Sequence, residues 1–476
     1  MEANKSLMVE ESKVAGGFDI VRRAFAEFLL LPTGIIVGFF LLAVGSYNLD
    51  RTLIGWLEPL RTVLKNHIFL TAKATSDLLG TIAGSLITVT SITISLLLVA
   101  LQQAAGSLTT EVFDQFLRRK LNQFYFGFFV GLSLFSLITL ATVHERFNPI
   151  FGATAAFLLT AVALYLLILL LYTTINQMRP AEIIEEIHRH TLAARELQLR
   201  LVRRTRRMSR SSAAASLAIH ANRHGYVTRI DIAAVGAAVR RAGDDAEATL
   251  LVSIGSFVAF QDVIAEVKAD TLERARQVED DVRCAVHLER QRDVVLDPAY
   301  GIEQLETIAW TSISTAKSNP APGLLTIHSL RDVLARWSVE DDAESGGGST
   351  DEPYPIVYVD NTRTQLLDAF ENFAVVSSES MQHQNFIEVL RTLTGMYERL
   401  NSSDRRRTED IIVRILAGLG DLVLTAELDR ALDALIARLR ASAPSATADA
   451  VRAAQEQLRR SVGRLNSRST RVPVSQ

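Results

Sequence analysis

The chain has 476 residues, a formal net charge of −3 and a single cysteine, Cys284. That length leaves room for a membrane domain and one or two soluble domains. The small net charge excludes a global field aimed at nucleic acid, and the lone thiol excludes an intrachain disulfide or a cysteine-based metal cluster.

Four apolar stretches occupy residues 28–47, 78–101, 124–143 and 150–175, and none contains Asp, Glu, Lys, Arg or His. About 20 apolar residues in a helix cross the hydrocarbon core of a bilayer. We therefore expect an integral membrane protein with a four-helix transmembrane domain over residues 28–176, after a cytosolic segment 1–27. The first stretch reads as an uncleaved span rather than a secretory signal. Its leading segment is long and carries Glu10, Glu11 and Glu27, and the apolar run exceeds a signal core.

Basic residues favour the cytoplasmic side of a membrane. Lys13, Arg22 and Arg23 precede the first stretch, Arg118, Arg119 and Lys120 separate the second from the third, and an arginine run follows the fourth. The other side holds Arg51, Arg61, Lys65, Lys73 and Arg146. The bias places both termini in the cytoplasm. In the first long loop, Leu53, Trp56, Leu57, Leu60, Leu64, Ile68 and Phe69 recur at helical spacing, which predicts a helix on the outer membrane surface. Phe113, Phe116, Leu117, Leu121 and Phe124 behave alike after the second stretch, opposite Arg118 and Arg119.

Three spans carry glycines four apart: Gly34 and Gly38, Gly80 and Gly84, Gly127 and Gly131. Small residues at this spacing let helix backbones approach closely in lipid, either within one copy or between copies. The second span also holds Thr81, Ser85, Thr88, Thr90, Ser91, Thr93 and Ser95. These hydroxyls fit two roles: glue between helices, or a polar lining at an oligomer axis. The candidate pore or helix-interface residues are Gly80, Gly84, Thr88, Ser91, Ser95, Gly127 and Gly131. Because the stretches hold no Asp, Glu, Lys or Arg, a charge-coupled pump is disfavoured.

Beyond the spans we expect a mainly α protein: a helical basic connector 177–211 continuing the fourth span, a small α+β segment 212–268, a helical domain 269–338, a flexible acidic linker 339–355, a helical part 356–464 and a disordered tail 465–476. Arg200, Arg203, Arg204, Arg206, Arg207 and Arg210 form the basic run. It reads as a topology anchor or as a site for anionic lipid head groups. No aromatic residues interleave with it, which argues against RNA. Gly225 to Ile230 reads as a strand, Asp231 as a helix cap and residues 270–289 as a helix. A longer helical pattern over 408–439 is interrupted near Gly418 and Gly420.

Catalytic signatures are sparse. Gly346-Gly347-Gly348-Ser349-Thr350 lacks the lysine of a phosphate loop. No nucleophile elbow or zinc-protease pair occurs. His220 and His224 are spaced to share a helix face, but two histidines without a third ligand make a weak metal site. We expect no enzymatic activity, cofactor or metal.

Two groups of residues carry a family resemblance. One is Ser91 to Gln102 with Phe116 to Arg119 and Phe129-Val130-Gly131. The other joins Gly225-Tyr226-Val227, Gly255-Ser256-Phe257-Val258 and Asp297-Pro298-Ala299-Tyr300-Gly301. Together they resemble the bacterial predicted membrane proteins termed domain of unknown function 2254, from the first span to about Trp337. The resemblance implies a bacterial inner membrane and no particular activity. The family tends to carry Ser-Pro and Asn-Asp-Pro after the Asp-Pro turn. Here Ser312 to Pro320 keeps only Asn319-Pro320.

Two functions are consistent with these features. The first is a homo-oligomeric, channel-like protein with a cytosolic regulatory domain. The second is a membrane-anchored sensor or scaffold whose helical domain binds a cytosolic partner.

Overall fold

The computed structural model describes residues 28–461 except 53–56, 68, 108–115, 117–118, 178, 315–318, 345–352, 421 and 443–444. The expected N-terminal segment, Trp56, Phe113, Leu117, Arg118, the triplet Gly346-Gly347-Gly348 and the C-terminal tail lie outside the described residues. The chain divides into two units, Met1–Arg179 and Pro180–Gln476.

The first unit contains helices α1 (Leu30–Arg51), α2 (Glu58–His67), α3 (Ala72–Ser107), α4 (Lys120–Ala141) and α5 (Ile150–Gln177). As expected, α1, α3, α4 and α5 are each long and apolar enough to cross a membrane. The four are not equivalent. Of the apolar window of α4, 56% is buried, against 17–22% in the other three, so α4 is the central post on which α1, α3 and α5 pack. This explains the small residues on α4. A Cβ on Gly127 would lie 2.8 Å from the Cα of Pro32, and one on Gly131 would overlap the ring of Phe39. The hydroxyls of Ser133, Ser136 and Thr139 are buried on this post, and each donates to the carbonyl four residues back.

One carboxylate ties the first span to the fourth. Asp50, at the end of α1, is 3% exposed. Its Oδ1 and Oδ2 accept from the amides of Phe151 (3.0 Å) and Gly152 (3.1 Å). Those amides belong to the first turn of α5 and have no partner within their own helix. Asp50 thus caps α5 from another helix, at the end where the helix dipole favours negative charge.

The second unit opens with α6 (Pro180–Val202). The connector from 177 was expected to continue the fourth span. It does not: α5 ends at Gln177, and a new helix starts at Pro180. Proline has no amide hydrogen and disfavours helical backbone in the residue before it, yet suits the first helical position. Helix α6 packs on α10 (Pro298–Ser314) and α11 (Pro320–Glu344).

The mixed segment is larger than expected. Strands β1 (Ala215–His220), β2 (Gly225–Ile230), β3 (Glu247–Leu250), β4 (Phe257–Val258), β5 (Val263–Ala269), β6 (Val286–Glu289) and β7 (Ile356–Tyr358) form two sheets. Their orders are β1-β5-β3-β7 and β4-β2-β6. Helix α7 (Ile232–Ala242) follows the expected cap, with Asp231 Oδ1 accepting from the Ala234 amide at 3.0 Å. Val235, Val239, Ala248, Ile264, Val267 and Ile356 share one apolar core.

Three expectations need correction here. Residues 270–289 are not one helix but α8 (Leu272–Gln277), α9 (Glu279–Ala285) and strand β6, so the helical region expected from 269 contains two short helices and a sheet strand before its first long helix. Helix α11 runs through the first part of the expected linker 339–355, to Glu344. The region expected to be helical from 356 begins with β7, which pairs in parallel with β3. After β7 come α12 (Thr362–Glu379), α13 (His383–Met396), α14 (Ser402–Leu419), α15 (Ala426–Ser442) and α16 (Ala446–Ser461). The interruption expected near Gly418 and Gly420 is the break between α14 and α15.

Candidate functional site

The most informative surface in the first unit is one face of α3. Leu79, Ile82, Ala83, Leu86, Leu97 and Leu101 are buried, and they form the side turned toward α4. The opposite side carries Asp77, Thr81, Gly84, Ser85, Thr88, Ser91 and Ser95, all exposed. A helix repeats every 3.6 residues, so these positions form one continuous stripe about 27 Å long. Thr81, Thr88 and Ser95 return their hydroxyl hydrogens to the carbonyls of Asp77 (2.7 Å), Gly84 (2.8 Å) and Ser91 (2.9 Å). This satisfies the hydrogens internally while leaving oxygen lone pairs facing outward. Ile92, Leu96 and Val99 flank the stripe and are exposed too.

The sequence-level candidates thus separate into two groups. Gly127 and Gly131 serve packing within the chain. Gly84, like Gly34 and Gly38, has nothing within 4 Å of an added Cβ, and Gly80 only grazes Leu140 at 4.0 Å. Thr88 and Ser95 bond back to their own helix just as Ser133, Ser136 and Thr139 of α4 do, but Thr88, Ser91 and Ser95 are exposed where the α4 hydroxyls are buried.

The arginine run is not a uniform basic face. After α6 the backbone turns and lies beside β7: the Arg206 amide donates to Ile356 O (2.7 Å), and the Tyr358 amide donates to Arg206 O (3.0 Å). Arg204 stacks 4.9 Å from the Tyr354 ring centroid and donates to its hydroxyl at 2.7 Å. Arg206 reaches Glu247, which is 1% exposed, at 3.4 Å. Burial by itself would raise the Glu247 carboxyl, but hydrogen bonds from Ser209, Arg210 and Arg206 hold it below the usual carboxylate range. Arg200, Arg203, Arg207 and Arg210 have exposed side chains.

The three loop motifs Gly225-Tyr226-Val227, Gly255-Ser256-Phe257-Val258 and Asp297 to Gly301 converge. Tyr226 pairs with Phe257 across β2 and β4, with ring centroids 5.2 Å apart. Arg292 donates from Nε to Asp297 Oδ2 at 2.7 Å, pairs with Glu303, and lies 4.8 Å from the Tyr300 ring and 5.9 Å from that of Tyr226. Gly255 has φ +88°, and a Cβ there would fall 2.5 Å from Asp297 Oδ2, so both backbone and space demand glycine. Sequence reasoning did not include Arg292 or Glu303. One guanidinium set between two carboxylates and two tyrosine rings clamps the β4 loop to the start of α10.

His220 and His224 do not share a helix face. His220 ends β1 and its Nδ1 sits 2.8 Å from Gln261 O, while His224 lies in the turn before β2. Among the described residues, no group of three His, Cys, Asp or Glu side chains is placed to hold a metal ion.

Four apolar helices joined to a large polar unit make a membrane protein. The chain belongs to the family of predicted membrane proteins termed domain of unknown function 2254, whose profile covers residues 26–393. That range takes in all four candidate spans, both sheets and most of α13. No curated protein and no solved structure matches the chain.

Proposed function

We propose that this is a homo-oligomeric, channel-like protein of the bacterial inner membrane, without enzymatic activity, in which α3 from each copy lines or borders a polar path. The carrying observation is the outward stripe of Asp77, Thr81, Gly84, Ser85, Thr88, Ser91 and Ser95. A carboxylate and hydroxyl oxygens gain nothing from hydrocarbon, whereas further copies of the same face, or water between them, would solvate them. Glycine at position 84 lets another backbone come close. On the basic-residue bias, both termini and the unit from Pro180 onward lie in the cytoplasm, where that unit regulates the path. The exposed arginines of the run would meet anionic head groups there.

The test is electrical. Purified full-length protein in planar bilayers should give step-like currents. Silence across a range of ions, voltages and tensions would overturn the proposal. Cysteines placed at Thr88 or Ser91 in a Cys284→Ser background should also cross-link between copies in native membranes.

A further inference from the structure

We infer that Arg204, Arg240 and Tyr354 form an anion clamp in the second unit, built for a phosphate monoester. The site stands apart from the polar path on α3. Its parts come from three separate stretches of sequence: the turn after α6, helix α7 and the residues leading into β7. The Arg204 guanidinium carbon lies 4.9 Å from the Tyr354 ring centroid, and that of Arg240 lies 5.1 Å from the same centroid. Tyr354 itself is held in place. Its amide donates to Arg204 O at 2.9 Å, and its ring lies on α7 at Gly236, where a Cβ would fall 2.3 Å from the ring Cδ1.

Two guanidiniums on one ring repel each other, and the ring face offsets only part of that cost. Other arginines of this corner are matched: Arg206 reaches Glu247, and Arg241 pairs with Asp281. Arg204 and Arg240 are exposed, and among the described residues neither meets a carboxylate. Asp245, just past the end of α7, instead accepts from the amide (3.0 Å) and hydroxyl (2.8 Å) of Ser212. The Tyr354 hydroxyl accepts from Arg204 at 2.7 Å, which leaves its own hydrogen to donate. Two unmatched positive charges and a hydroxyl donor thus stand at one place.

A phosphate monoester carries a charge of about −1.5 to −2 at neutral pH and three terminal oxygens. Guanidinium forks bind such oxygens through paired N–H groups. A phosphodiester carries a single charge and would leave one of the two arginines unmatched. The monoester head is the shared chemistry of phosphatidate in a bilayer and of a small soluble phosphate ester.

The experiment is a titration of the full-length protein in detergent, with bound ligand counted by native mass spectrometry and the melting temperature of each variant read alongside. The probes are glycerol 3-phosphate, short-chain phosphatidate and short-chain phosphatidylglycerol. Wild type should bind a monoester probe about tenfold or more tighter than the phosphatidylglycerol. Arg240→Gln should weaken monoester binding by about tenfold or more. Arg240→Lys should recover only part of it, because an ammonium lacks the fork. Tyr354→Phe keeps the ring and should lose less. Arg241→Gln, next in sequence but paired with Asp281, should bind as wild type does, which separates a built site from general surface charge. Binding of glycerol 3-phosphate would mark the phosphate head as sufficient, and binding confined to phosphatidate would mark a membrane lipid as the ligand. Monoester binding that is absent in wild type, unchanged in Arg240→Gln, matched by phosphatidylglycerol or lost equally in Arg241→Gln would overturn the inference and leave the channel reading standing.

Discussion

Gly131 lies against the ring of Phe39, so close that a Cβ on the glycine would overlap the ring. The two residues sit where α1 and α4 touch, and Phe128 packs edge-on against the same ring at 5.4 Å. Gly84 on α3 has the same residue type and the same four-residue spacing from a second glycine, but among the described residues an added Cβ there would meet nothing within 4 Å. Gly131→Leu should therefore lower the melting temperature in detergent, at a cost of about 1–3 kcal/mol from overpacking. Gly84→Leu should leave the melting temperature near wild type and reduce cross-linking between copies. Equal destabilisation by both variants would mean that the two glycines do the same work.

Asp50 supplies a second check on the first unit. Asp50→Ala strips two amide partners from the start of α5, an end-capping loss of about 1–2 kcal/mol. Asp50→Asn keeps one acceptor oxygen and should lose less. Thermal unfolding followed by tryptophan fluorescence should rank the three proteins wild type, Asn, Ala.

The helical part of the second unit contains a carboxyl that opposes folding when ionised. Burial, and then the nearby charges of Glu303 and Asp368, push the Glu306 carboxyl above its ordinary value, although Asn372 donates to it at 2.6 Å and works the other way. A carboxyl whose folded-state pKa is raised favours the native state at low pH, and that favour is lost as pH rises through the raised value. Glu306→Gln keeps an acceptor for Asn372 and removes the charge. The variant should unfold at a higher temperature than wild type at neutral pH, and the gap should close as the pH falls through the carboxylate range. A gap that widens on acidification would contradict this sign.

The single thiol reports the side of the membrane. Cys284 is exposed in the polar unit. A membrane-impermeant maleimide should leave it unlabelled in intact cells and label it after permeabilisation. Labelling of intact cells would reverse the proposed orientation.

The spans were legible because hydrocarbon imposes a length and a chemistry that hydropathy reads directly. Their ends were less so. Helix α3 starts at Ala72 rather than 78, because Lys73 and Asp77 are compatible with the first turns of a helix although they fall outside an apolar run. Hydropathy marks where lipid is tolerated, not where hydrogen bonding begins. Val286 to Glu289 was read as helix because nothing local shows that Val227 and Ile230 wait on β2 to pair with it. The hydroxyls of α3 were legible as residues, but not which of them would face outward. That depended on α4 taking the side with Leu79, Ile82 and Leu86. Arg292 could have been suspected only from its charge beside the Asp297 turn, since Gly255, which accommodates it, lies far away in sequence.

Strand β7 joins β3 in parallel, with Ala248 opposite Ile356 and Leu250 opposite Tyr358. During synthesis on the ribosome, β3 and β5 emerge long before their last partner. The nascent sheet therefore waits with an open hydrogen-bonding edge while α10 and α11 are still being added. A stop codon or protease cut anywhere in that interval would release a fragment with an unsated strand beside a bilayer-bound anchor, a species suited to clumping and to quality-control proteolysis.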